Sequence, residues 1–200
     1  YLPWKKELLR EVVDLTIIGA PGAKVDAIKT VAGHIEGSTG YVVNIEKLVI
    51  DGVEFTTVYD HPSHKYDSPI FFDLSYINVN GLTVKNCKLV GDNANMNFVY
   101  LYGSGNPSNS TFVTAAKDIT ISGNTVDGIA RFCELRQAEN VTITQNTIKN
   151  TALHGILLSV DNGTYSGEVT ITENTAEKIN ERFVRMAGAG DAVVLIKDNS

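Results

Sequence analysis

Apolar residues two places apart, followed three places later by asparagine, recur in ITISGN at 119–124, VTITQN at 141–146 and VTITEN at 169–174. A fourth copy, VLIKDN, occupies 194–199. Written as apolar, x, apolar, x, x, Asn, the copies align as Ile119/Ile121/Asn124, Val141/Ile143/Asn146, Val169/Ile171/Asn174 and Val194/Ile196/Asn199. Three upstream segments keep the apolar pair and lose the asparagine: Leu82/Val84/Cys87, Leu48/Ile50/Val53 and Leu15/Ile17/Ala20. Alternation with period two is strand periodicity, and the β-branched Val, Ile and Thr that fill these phrases suit strands.

Successive copies end 22 to 37 residues apart. Hairpin arrays would show turn signals every 8–12 residues or so, which these do not. Between the copies lies a second apolar run: PIFFDLS, NFVYLYG, ARFCELRQ, HGILLSV and ERFVRMAG. One circuit of chain therefore holds at least two strands, and like strands stack in parallel about 4.8 Å apart. The predicted fold is a right-handed parallel β-helix of six to seven coils over residues 15–200, with Asn124, Asn146, Asn174 and Asn199 stacked inward as an amide ladder. Cys87 and Val53 extend that column as apolar substitutes.

An open end of such a stack exposes unpaired strand edges. Pro3 precedes WKKELLREVV, where Trp4, Leu8 and Val12 share one face, so residues 3–13 are predicted to form a capping helix within an N-terminal segment 1–14. At the other end VVLIKDNS stops on the corner asparagine, which leads to the expectation that the natural chain continues beyond Ser200.

In the second runs, the inward pairs are predicted to be Phe72/Leu74, Val99/Leu101, Cys133/Leu135, Ile156/Leu158 and Val184/Met186. Alternation then turns out three columns: Phe71, Phe98, Phe132, Gly155, Phe183; Asp73, Tyr100, Glu134, Leu157, Arg185; and Ser75, Tyr102, Arg136, Ser159, Ala187. The outward phenylalanines call for cover by a loop or another domain, or serve as a platform for a sugar ring. The first strands turn out a plain hydroxyl surface at Thr120, Ser122, Thr142, Thr144, Thr170 and Thr172. Segments 56–69, 90–96, 103–115 and 161–167 are expected to protrude as loops that wall the second face.

With 43% hydrophobic residues, 17 Gly and 5 Pro, the chain has the composition of one folded domain. No apolar run approaches the roughly 18 residues of a membrane span. A formal charge of −6 argues against a nucleic-acid partner. Cys87 and Cys133 form neither a metal spacing nor a disulfide framework, and GAPGAK at 19–24 lacks the spacing of a phosphate loop.

LTIIGAPGAKV followed by VTITQNTIKN-type units resembles the pectin-lyase-like right-handed β-helix superfamily over roughly residues 15–200. The resemblance implies an extracellular or cell-surface protein that meets a polysaccharide, as a polysaccharide lyase, a glycoside hydrolase or a non-catalytic surface module, with additional domains of the same chain as further partners. Lyases of that kind use a basic residue, with Ca²⁺ or other cations neutralising a uronate. Arg131, Arg136, Arg182 and Arg185 cluster near the second face, but an arginine is a poor base and no close acidic set resembles a calcium site. His154-Gly155 resembles the histidine-glycine element of polygalacturonase-like hydrolases, without the paired aspartates expected upstream.

The candidate substrate-binding residues are Tyr100, Tyr102, Arg136, Arg185 and His154. Asp73 and Glu134 are the candidate catalytic pair: in one column two coils apart they would lie about 9–10 Å from each other, near the upper edge of the roughly 6.5–9.5 Å used by inverting glycosidases. His61 and His64, with Asp60 or Asp67, form a weaker candidate metal loop. The function expected is binding, with cleavage as an extension, of an extended polysaccharide along the second face; the alternative is a structural or adhesive solenoid.

Overall fold

A computed structural model describes residues 12–29, 43–56, 68–74, 77–102, 116–159, 165–188 and 190–200. Among them there are strands and turns and no helix. The expected capping helix falls, up to residue 11, outside the described residues. Its last two positions belong instead to the strand Val12–Ile18, where Val12 and Val13 pair with Asn44 and Ile45.

The fold is all-β, built of parallel sheets. The first sheet runs in the order Val12–Ile18, Val43–Asp51, Leu82–Lys85, Ala116–Ser122, Ala138–Thr144, Ser166–Thr172, Val193–Lys197, with Ile77–Val79 also paired to Val43–Asp51. Neighbours in this sheet are a whole circuit of chain apart, and all their pairings are parallel. The register follows the repeat: Leu15 pairs with Leu48, Leu48 with Leu82, Leu82 with Ile119, Ile119 with Val141, Val141 with Val169 and Val169 with Val194. Inward residues of the middle strands, such as Ile50, Val84, Ile121 and Ile143, are wholly buried. Each stabilises the fold by roughly 1.5–3 kcal/mol relative to exposure. Val194 and Ile196, in the last strand, stay 37% and 49% exposed.

The second sheet is bent into two rows. A near row follows the asparagine corner at once: Lys24–Val25, Glu54–Phe55, the start of Lys88–Tyr102, the start of Thr125–Arg136, Thr147–Thr151 and Thr175–Ile179. A far row contains Ile28–Lys29, Ile70–Asp73, the ends of the two long strands, Ile156–Ser159 and Val184–Met186. A circuit such as residues 138–159 thus holds three runs of strand, Ala138–Thr144, Thr147–Thr151 and Ile156–Ser159, where two were the minimum expected. Residues 90–96, expected as a loop, lie inside the strand Lys88–Tyr102, whose pairing with Thr125–Arg136 carries two irregularities.

The corner that joins the first sheet to the near row explains the asparagines. Asn124, Asn146 and Asn174 are each 1% exposed. The Nδ2 of Asn124 donates to Val84 O at 3.0 Å and to Asn146 Oδ1 at 2.9 Å, and Asn124 N donates to that same Oδ1 at 3.0 Å. Asn146 repeats the scheme with Ile121 O and Asn174, and Asn174 with Ile143 O and Asn199. Asn124 Oδ1 closes the ladder on the backbone N–H of Cys87 at 2.9 Å, so an apolar residue suffices above it. The residue before each rung is left-handed, at Gly52, Asn86, Gly123, Gln145, Glu173 and Asp198, with φ between 53° and 67°. For residues other than glycine that conformation costs about 1–2 kcal/mol, which the rungs offset.

Phe98 and Phe132 do not face outward. They are fully buried in the core, where Phe98 packs on Phe55 at 5.9 Å and on Phe132 at 5.6 Å between ring centroids. Strict alternation fails because the chain bends between the rows: the amides of Phe132 and Cys133 both donate to Gly155 O, so consecutive side chains turn inward. Gly155 continues the column without a ring, since a Cβ there would meet Phe183 O at 2.8 Å and the Phe183 ring at 3.3 Å.

Candidate functional site

The far row turns its outer face along one side of the stack. Cys133, Glu134 and Leu135 pair with Val99, Tyr100 and Leu101 on one side and with Ile156, Leu157 and Leu158 on the other, and Leu157 pairs with Arg185. The column Tyr100, Glu134, Leu157, Arg185 is therefore as expected. The first coil differs. Ile70 pairs with Val99 and Phe72 with Leu101, so Phe71 heads the column on Tyr100, while Asp73 pairs with Tyr102. Asp73 is thereby moved two residues, about 7 Å along the strand, out of the Glu134 column. The expected Phe72/Leu74 alignment is wrong by one full alternation, because Ile70, Phe72 and Leu74 are all buried and a two-residue slip leaves the pattern unchanged.

Glu134 lies under the outer surface with its side chain 7% exposed, and both carboxylate oxygens are engaged. Arg136 donates from Nε at 3.2 Å and Nη2 at 3.1 Å to Oε1. Asn97 Nδ2 donates to Oε2 at 3.1 Å, and Arg131 Nη1 stands 3.4 Å from the same oxygen. To protonate a glycosidic oxygen, Glu134 would first have to break one of these contacts. What the arrangement does well is hold two guanidiniums at fixed places. Asn97, 4% exposed, is the partner that pattern reading missed; a single asparagine at the bend carries no periodic signal.

Tyr100, Tyr102 and Arg136 come together as expected. The two rings meet edge to face at 5.7 Å, and the Arg136 guanidinium lies over the Tyr102 ring, 5.0 Å from its centroid. Phe71 completes the cluster against both tyrosines. Tyr100 is nearly buried, and burial followed by the nearby Glu134 charge raises its hydroxyl pKa well above the usual value. Tyr102 and Arg136, both half-buried, form the accessible part.

His154 lies beside this cluster, buried, on the approach to Ile156–Ser159. Its Nε2 accepts from Arg185 Nη1 at 3.1 Å, and Glu181 Oε2 stands 2.9 Å from Nδ1, off the axis of a good hydrogen bond. Burial, opposed by Glu181 and aided by Arg185, holds the imidazole pKa below its ordinary value, and because Nε2 accepts from Arg185 the neutral ring carries its proton on Nδ1, toward Glu181. Arg185 itself is exposed.

Both thiols are free and buried; desolvation pushes Cys87 up to about 11 and raises Cys133 further. Among the described residues no three His, Cys, Asp or Glu side chains converge as a metal site would need, and no helix is long and apolar enough to cross a membrane. His61, His64 and their partner aspartates, and most of the expected walls at 56–69, 103–115 and 161–167, lie outside the described residues. No family model, curated protein or solved structure matches this chain.

Proposed function

We propose that this chain is a right-handed parallel β-helix of the pectin-lyase-like kind that holds an extended polysaccharide on the outer face of the far row, outside the cell or at its surface. The observation that supports this reading is the guanidinium of Arg136 lying over the Tyr102 ring on a half-exposed face, with Arg185 exposed two layers further along. Flat rings and fixed donors repeated along an axis suit sugar rings that repeat along a chain. The reading is one of binding without cleavage, because Glu134 is tied to Arg131, Arg136 and Asn97 and Asp73 lies outside its column.

Calorimetric titration with cellopentaose, xylopentaose and tetragalacturonate, together with ultraviolet absorbance for an unsaturated product, tests it. Binding to at least one, weakened tenfold or more in Arg136→Ala with no product formed, is the expected outcome. A second reading, a structural or adhesive solenoid, draws on Tyr100 being nearly buried and on both oxygens of Glu134 being engaged within the fold. Failure of all three glycans to bind would favour it.

A further inference from the structure

The bend between the near and far rows opens a concavity of about 370 Å³, lined among others by Ile129, Asn150, Ala152, Lys178 and Asn180. Its size is at the lower end of small-molecule sites and suits a single ring. Three successive layers build it at one corner. Asp127 and Ile129 pair with Lys149 and Thr151, which pair with Glu177 and Ile179, so Gly128, Asn150 and Lys178 stand in line. All three are left-handed, with φ of 76°, 51° and 56°. Gly and Asn take that conformation at low cost; lysine does not.

The polar groups here are of one kind. Asn150 commits its Nδ2 to Asp127 Oδ1 and Asn180 its Nδ2 to Ala152 O, which turns both amides so that their Oδ1 atoms remain as acceptors. The Lys178 side chain, 73% exposed with its Nζ 4.0 Å from Glu177, supplies donors at the rim. Ile129 and Ala152 contribute aliphatic surface. Acceptors for hydroxyl protons, a donor for a ring or hydroxyl oxygen, and an aliphatic floor for a C–H face are the complement of a pyranose. The groove also adjoins the arginine and histidine face, since Ala152 lies two residues before His154 and Asn180 two before Arg182.

We infer that this corner groove is a sugar-ring subsite, and that Lys178 is kept in a left-handed backbone position because its side chain serves that subsite. The inference rests on the glycan reading and extends it from the far row around the corner of the stack. Two variants test it with the same three oligosaccharides. Ala152→Phe fills the groove and is expected to weaken binding at least tenfold with an unchanged circular dichroism spectrum. Lys178→Gly relieves the backbone and is expected to raise the melting temperature while weakening binding several-fold, a combination that a purely structural residue would not produce. If both variants bind like the parent while Arg136→Ala loses binding, the subsite is wrong and the glycan reading stands. If the parent binds none of the three, the glycan reading falls and the subsite with it.

Discussion

Two buried polar arrays lie in different parts of this molecule, one at the asparagine corner and one on the far row, and they are built on different terms. The asparagine ladder at the first corner is neutral, repeats from layer to layer, and gives every rung a bond to a backbone carbonyl. The Glu134 cluster is charged, belongs to one layer and its neighbour, and ties Glu134 to Asn97, Arg131 and Arg136 side chain to side chain. The ladder completes a backbone that would otherwise carry unpaired groups at every turn, so each rung serves the fold. The cluster sets a buried carboxylate between two arginines whose side chains remain about a fifth exposed, an arrangement that adds little net stability but fixes where the guanidiniums point.

That contrast can be broken most forcefully at the ladder. Asn146→Ala removes the acceptor for Asn124 N and Nδ2 and the donor to Ile121 O and Asn174, and is expected to cost roughly 3–5 kcal/mol in urea unfolding. A loss below that of an ordinary surface substitution would mean that the rungs are decoration. Glu134→Gln should cost less, about 1–3 kcal/mol, because water reaches both arginines once their partner is neutral. In a crystal structure of this variant, Arg136 should leave the Tyr102 ring; an unmoved guanidinium would show that Glu134 does not hold it.

The smallest effect concerns pH. His154 has its pKa lowered in the folded state, so the unfolded chain binds the proton more readily. Its contribution to stability is therefore complete above the unfolded pKa of about 6.5 and is lost as the pH falls below it. The fall in melting temperature between pH 7 and 5 should be shallower in His154→Gln than in the parent, and an identical slope would assign the acid sensitivity to other groups.

The same contrast decides what could be read from the amino acids. All seven copies of the apolar pair fall into the register that the spacing of Leu15, Leu48, Leu82, Ile119, Val141, Val169 and Val194 implies, because period-two alternation and a corner residue together leave one alignment. The far row offers no corner residue to break the tie, and PIFFDLS was misplaced by two. Alternation places Phe98 and Phe132 outward because it assumes a straight strand, whereas the bend allows two successive residues to face the core. The near row leaves no separate signal, since NTIKNT and its equivalents follow so closely on the asparagine that they read as its turn. Of the site, Tyr100, Tyr102, Arg136 and Arg185 were legible as an outward strip, while Asn97 and the corner groove depend on the bend and left no pattern.

Cys87 occupies the rung above Asn124, 1% exposed, with its sulfur 3.2 Å from Lys85 O. Cys133 is equally enclosed one sheet away. Because neither thiol ionises readily, iodoacetamide can modify them only when the layers around them part. The two sulfurs are therefore separate clocks for separate doors: alkylation of Cys87 times the opening of the amide corner, alkylation of Cys133 times the opening of the far row, and unequal rates would reveal which side of the stack comes undone first.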